Sequence, residues 1–298
     1  MSRQFPRSTA VVAGLTGAVV LAALLGWGAI GGDDEDAGAK GSENSATSDE
    51  PGDRTEPEEL PELEEGFTAI PAAELLPTIA EAQQNAKSWT VTLDGESAGT
   101  PTPQALQEIQ FTDTGATFRI QMAVTNDLAT ESVVEGLYVD ETFYLKGFNP
   151  KKWDQAWYQL PNDDQLLASF ESMLQGATAS NLMKLGEPSE YEVVGIEDVQ
   201  ELDDDVVRAV HYKLTVDPSA AMGAQGVTED MQYLDIWVDA ENRPVQVNSL
   251  ITSGGDDYRS TLFYSEYGKD FGLVAPAKKD VTDRRPPAMK AAESPEAQ

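Results

Sequence analysis

The side chains able to do chemistry in this chain are few and scattered. His211 is the one histidine, set in Val210-His211-Tyr212-Lys213. A hydrolytic triad would need it to meet a serine and an aspartate, with a strand-to-helix nucleophile elbow to present the serine. No such elbow is expected, and a catalytic His211 is not. Asp203-Asp204-Asp205 could touch a calcium ion, but it lacks the alternating ligands and the glycine of a calcium loop, so a solvated turn is the reading. There is no cysteine, which excludes disulfides, thiolate metal sites and cysteine nucleophiles. No phosphate-cradling or dinucleotide fingerprint is found. Catalytic residues, metal and cofactor are therefore all read as none.

With no reaction centre, the weight falls on the elements. The most informative stretch is Gly136 to Pro161, GLYVDETFYLKGFNPKKWDQAWYQLP. Leu137-Tyr138-Val139 is a short strand, Asp140-Glu141 a tight polar turn, and Phe143 and Leu145 alternate with Thr142, Tyr144 and Lys146 as in a half-buried strand. Trp153, Trp157, Tyr158 and Leu160 then bring bulky side chains back toward the sheet. Before this stretch, Pro71 opens a helix whose Ala73, Leu76, Ile79 and Ala80 recur at helical spacing to about Lys87. Trp89 to Leu93, Ile109 to Phe111 and Phe118 to Val124 alternate as strands.

After Pro161 the period changes. Leu166, Leu167, Phe170, Met173 and Leu174 form a helical stripe, capped by Asn162 or Asp163 and ended by Gly176. Strands resume with Tyr191 to Ile196. Val206, Val210, Tyr212, Leu214 and Val216 share a face that Arg208 interrupts. Leu234, Ile236 and Val238 follow, then a hairpin at Asp239 to Asn242, and strands through Tyr267. The fold class is α+β: nine or ten antiparallel strands in meander order, a leading helix and an inserted helical segment.

The chain has 298 residues and a net charge of −32. Residues 33–66 contribute −12 and residues 67–275 contribute −23, while the N-terminal 1–32 carry +2 and the C-terminal 276–298 carry +1. Such acidity argues against nucleic-acid partners and against unaided adsorption to anionic headgroups. Arg3 and Arg7 precede an uncharged run from Ser8 to Gly32, closed by Asp33-Asp34-Glu35-Asp36. That layout reads as a signal anchor with the N-terminus inside and the remainder outside, or as a cleaved signal peptide. Residues 33–66 read as a disordered acidic linker of about 30 Å reach, residues 67–275 as the folded domain, and residues 276–298 as a disordered tail. Leu24-Leu25-Gly26-Trp27-Gly28 is similar to a lipobox, with Trp27 where the lipidated cysteine would stand.

The exported acidic stalk, the leading helix, GLYVDETFYLKG with KKWDQAWYQL, then VHYKLTVD, LDIWVDAENRPVQV and LFYSEYGKD, together resemble the actinobacterial LppX/LprG lipoprotein family, similar in fold to the LolA and LolB carriers. The resemblance covers about residues 67 to 275 and departs at Trp27. It implies a strongly curved antiparallel sheet, a half-barrel wrapped around helices, with the inserted helix as a lid. It further implies an apolar cavity for the acyl chains of a lipid, glycolipid or acylated protein in transit across the cell envelope. Residues expected to line that cavity are Phe118, Ile120, Met122, Val124, Phe143, Leu145, Trp157, Leu167, Phe170, Met173, Leu174, Val210, Leu214, Leu234 and Ile236. The same residues could instead fill a closed core. The chain is expected to act as a monomer, tethered by its N-terminal helix on the outer face of the cell membrane or secreted after cleavage. The competing expectation is a tethered protein-interaction or envelope-sensing domain with no lipid ligand.

Overall fold

The computed structural model describes residues 60–284 except 98, 102–103, 113–114, 124–132, 147–156, 162–187, 201–204, 217–231 and 254–255. The expected signal segment, most of the acidic linker, the inserted helix and the end of the tail lie outside the described residues. Among those described, no helix is long and apolar enough to cross a membrane.

Helix α1 spans Ala72–Ala86. Pro71 precedes it with φ −62° and ψ 152°, an extended approach that its ring favours, and its carbonyl accepts the first-turn N–H groups of Glu74 and Leu75. Pro77 lies within one continuous helix, so it does not divide the segment. The helix ends where Lys87 turns left-handed at φ 63° and donates its N–H back to the carbonyls of Gln83 and Gln84. Leu75, Leu76, Ile79, Ala80 and Gln83 form its buried stripe.

Thirteen described strands make one sheet. They are β1 (Ser88–Ser97), β2 (Thr100–Pro101), β3 (Ala105–Thr112), β4 (Gly115–Ala123), β5 (Val133–Val139), β6 (Thr142–Lys146), β7 (Trp157–Gln159), β8 (Glu190–Gln200), β9 (Val206–Val216), β10 (Gln232–Val238), β11 (Pro244–Ser253), β12 (Asp256–Ser265) and β13 (Val281–Thr282). The order is β13-β7-β6-β5-β4-β3-β1-β12-β11-β10-β9-β8, with β2 paired to β1 off this path. Pairing is antiparallel except between β13 and β7, which run parallel. The sheet is thus two meanders joined where β1 meets β12, from Thr90 opposite Ser265 to Ser97 opposite Tyr258. Among the described residues it does not close.

Twelve strands in a row would span about 50 Å if flat. Yet one apolar cluster gathers Leu75, Leu76 and Ile79 of α1 with Trp89, Ile109, Phe118, Phe143, Tyr158, Tyr212, Ile236, Val247 and Leu262 from strands across that whole order. A helix about 10–12 Å across reaches them only because the sheet curls around it. The mostly antiparallel meander order is what the strand periods predict, and the open curve is what the resemblance implies.

Three details go beyond the expectation. The strands number thirteen among the described residues because β2, β7 and β13 are two or three residues long, too short to show a period. Beyond residue 275, Lys278–Asp280 form a 3₁₀ turn leading into β13, where Val281 pairs with Trp157 and Thr282 with Tyr158. At the other boundary, Leu63 of the expected linker packs against the core.

Candidate functional site

The candidate site is the concave apolar face. Alternation in each strand sends every second side chain there: Phe118, Ile120 and Met122 from β4, Phe143 and Leu145 from β6, Val210 and Leu214 from β9, and Leu234 and Ile236 from β10. All nine are at most 6% exposed and belong to one cluster. The structure therefore packs nine of the fifteen named residues into one buried cluster. Val124, Leu167, Phe170, Met173 and Leu174 lie outside the described residues.

Trp157 is a correction. The core side chain of β7 is Tyr158, 2% exposed, and Leu160 follows at 1%. Trp157 is half-buried beneath Lys146, whose Nζ lies 5.3 Å from the ring centroid. Lys146 alternates away from Phe143 and Leu145, so Trp157 shares the convex face with it. Val206 also departs from its expected apolar face, at 61% exposed.

Aromatic packing gives the face its shape. The Phe118 ring lies 5.5 Å from Tyr138 and 5.8 Å from Phe143, centroid to centroid. Gly136 makes this possible: a Cβ there would come within 2.8 Å of Ile120 Cγ2 and of Phe143 Cζ. The turn feeding this corner is Asp140-Glu141, both left-handed at φ 49° and 57°, the twist a two-residue hairpin requires. Trp89, Ile109 and Tyr264 also belong to the face and are missing from the expected lining, although the period-2 spacing of Trp89, Val91 and Leu93 is a signal for the first of them. The fully buried ionisable side chains of the cluster are tyrosines, and burial pushes the phenols of Tyr212 and Tyr264 above their ordinary range.

The convex side is different chemistry. His211 alternates onto it but is not solvated: its ring stacks on Trp237 with centroids 4.2 Å apart, Nε2 lies 2.7 Å from Asp235 Oδ1, and Nδ1 lies 3.3 Å from Glu197 Oε2. Trp237 Nε1 donates to the same Glu197 oxygen at 2.8 Å and holds that carboxyl below its usual range, with His211 adding to the effect. No serine hydroxyl is among these contacts, so His211 is a structural link from β8 to β10. One pentapeptide does carry the spacing of a nucleophile elbow, Gly95-Glu96-Ser97-Ala98-Gly99. It sits where β1 turns into β2, strand to strand, and lacks the helix that an elbow requires. Across β8, β9 and β10 a hollow of about 430 Å³ is lined by Glu190, Tyr191, Glu192, Lys213, Leu214, Thr215, Tyr233, Leu234 and Asp235. Among the described residues no group of His, Asp and Glu could hold a metal ion.

The sheet's entry is held by residues 63–70. Leu63 and Phe67 pack against the apolar cluster. Tyr212 Oη accepts the N–H of Ile70 at 3.2 Å, and Tyr191 Oη donates to the carbonyl of Ile70. Arg208, the residue that breaks the apolar face of β9, pairs through Nη2 with Glu64 Oε2 at 2.8 Å and lies 5.8 Å from the Phe67 ring centroid.

No protein-family model matches the chain, and no curated protein does. Among solved structures, the Mycobacterium tuberculosis lipoprotein LppX is similar over 67% of this chain and 98% of its own, at 13% identity and a TM-score of 0.42. Pseudomonas aeruginosa MucB in complex with MucA is similar over 69% of this chain and 61% of that chain, at 15% identity and a TM-score of 0.37. A LolA superfamily protein of Nitrosomonas europaea is similar over 72% of this chain and 99% of its own, at 12% identity and a TM-score of 0.28. At these values the likenesses assign no family, and the LppX/LprG family in particular is not shown.

Proposed function

We propose that this chain is an exported protein of the cell envelope that binds the acyl chains of a lipid, glycolipid or acylated protein against its concave face, and that its N-terminal segment holds it at the membrane. The observation that carries the reading is the continuous apolar face, drawn from both meanders and α1, whose fully buried ionisable groups are tyrosines. Burying a chain there stabilises by about 0.8 kcal/mol per methylene, so a dozen methylenes give on the order of 10 kcal/mol before association costs of several kcal/mol. Large adaptable side chains suit that task, and Met122, Phe118 and Phe143 are of this kind. The strand-pattern resemblance to LppX/LprG lipoproteins points the same way. An inserted helical lid carrying Leu167, Phe170, Met173 and Leu174 belongs to the proposal, as does Val124 in the wall of the cavity.

Native mass spectrometry of the full chain, with organic extraction of co-purifying material, tests it, together with uptake of a fluorescent fatty acyl probe. Bound lipid and saturable uptake are the expected result. A protein that carries no lipid and takes up no probe would overturn the reading.

A second reading has an observation of its own. Among the described residues strand β8 ends the sheet order, and its eleven residues include Glu190, Glu192, Glu197 and Asp198 with no lysine or arginine. Such an edge offers unpaired backbone groups to an extended partner, which makes a protein-interaction domain the alternative. Protein capture without lipid would favour it.

A further inference from the structure

The segment between the tether and α1 crosses the face on which the acyl ligand is placed. Leu63 and Phe67 lie on the apolar cluster, and Ala69 and Ile70 are buried at 8% and 7% exposed. The backbone of residues 60–70 forms no strand. It is folded by one turn, in which the Phe67 N–H donates to the Glu64 carbonyl at 3.1 Å and Gly66 takes φ 94°, the third-position geometry of a type II turn. Arg208 grips both ends of that turn, by its ion pair with Glu64 and by its stacking on Phe67. The two tyrosine hydroxyls of β8 and β9 grip the next point along, the peptide groups of Ile70.

These are side-chain fastenings on a piece of chain that offers the sheet no ladder of its own. Leu63, Phe67 and Ile70 also bring to the apolar cluster the same chemistry that an acyl chain would bring. We propose that residues 63–70 are a displaceable strap that occupies part of the acyl-binding face in the absence of ligand and is lifted when ligand enters. Its position gives it a second handle, because the 62 residues before it in the sequence lead back to the N-terminal apolar segment. Tension on that side pulls on the strap before it reaches α1.

This inference rests on the lipid-binding reading, and the test separates the two. Arg208 and Glu64 are exposed, at 51% and 68% of their side chains, so Arg208→Ala loosens the strap without touching the core. Tyr191→Phe, which removes the hydroxyl on Ile70 but keeps the ring, is the second variant. Uptake of 11-(dansylamino)undecanoic acid by the full chain is followed by stopped flow, and amide exchange of residues 60–71 by mass spectrometry. An exposed ion pair of this kind changes an equilibrium by about two- to fivefold. The expected result is uptake two- to fivefold faster and correspondingly tighter in Arg208→Ala, a similar direction in Tyr191→Phe, and faster exchange at 60–71 when wild-type protein is saturated with probe. Uptake that is normal in all three proteins while strap exchange rises in the variants overturns the strap. No uptake by any of them overturns the lipid-binding reading and the strap with it.

Discussion

The two meanders that meet at β1 and β12 reach similar burial by unlike means. In the first, strands shorten toward the edge, from nine residues in β4 to five in β6 and three in β7, with a two-residue parallel strand beyond. Its ladder weakens outward, and its concave face holds the rings of Phe118, Tyr138, Phe143 and Tyr158, fitted around Gly136. In the second, β8 and β9 each run eleven residues to the edge. The concave side there is mainly aliphatic, and the convex side carries the stacked His211 and Trp237 between Glu197 and Asp235. Both meanders pack into one core, but the second adds a long ladder to its edge and, on its outer face, cross-strand polar contacts beside a small apolar cluster of Val199, Ala209 and Val245.

The difference breaks most sharply at Phe143. Phe143→Ala removes a ring that is 1% exposed and packs against Phe118 two strands away. A loss of about 3–5 kcal/mol is expected from urea unfolding. No single truncation on the convex side of the second meander should approach that value, and one that does would remove the contrast.

A finer test uses one glycine from each meander. Gly136→Ala forces a methyl to within 2.8 Å of Ile120 and Phe143, an overpacking cost of about 1–3 kcal/mol. Gly195→Ala, at the bulge between Val193 and Gly195 in β8, meets nothing within 4 Å and costs only the strain of its φ of 135°, about 1–3 kcal/mol. The signature is rescue. Phe143→Leu should restore part of the stability lost by Gly136→Ala, whereas no neighbour of Gly195 can do so. Equal behaviour in the two double-mutant cycles would show that the close approach at Gly136 does not limit the fold.

Much of this architecture is legible in the sequence, and the exceptions share a cause. Strands β4, β9 and β10 alternate cleanly over seven or more residues, so periodicity alone puts Phe118, Ile120, Leu214 and Ile236 on the face they occupy. Trp157 misleads because a three-residue strand has no period and the larger ring suggests the interior; register with β6 puts Tyr158 inside instead. Val281-Thr282 is indistinguishable from the tail for the same reason. The meeting of β1 with β12 cannot be read, since the two strands are more than 150 residues apart and nothing local selects the pairing. Arg208 shows in the sequence only as a break in an apolar face. The break marks where the strap is fastened, and a charged side chain at a core position is the signal for it.

The smallest predicted effect concerns acid. Glu197 is held below the ordinary glutamate range by the Trp237 N–H and then by His211, and Glu266 by Lys269 and then by the hydroxyl of Thr90. A carboxyl lowered in the folded state contributes stability that is complete above the unfolded value and lost as pH falls through the folded one. Urea midpoints should therefore drop from about pH 6 toward about pH 3. Glu197→Gln tests the share of the second meander, because the amide oxygen still accepts from Trp237 while the charge beside His211 is gone. Its expected signature is a shallower fall in midpoint below about pH 5 than in the wild type, with a difference of well under about 1 kcal/mol for so exposed a carboxylate. Phe143→Ala should leave that slope unchanged while lowering the whole curve. If Glu197→Gln also lowered the whole curve and left its slope intact, the convex contacts would be acting through packing, as the first meander does.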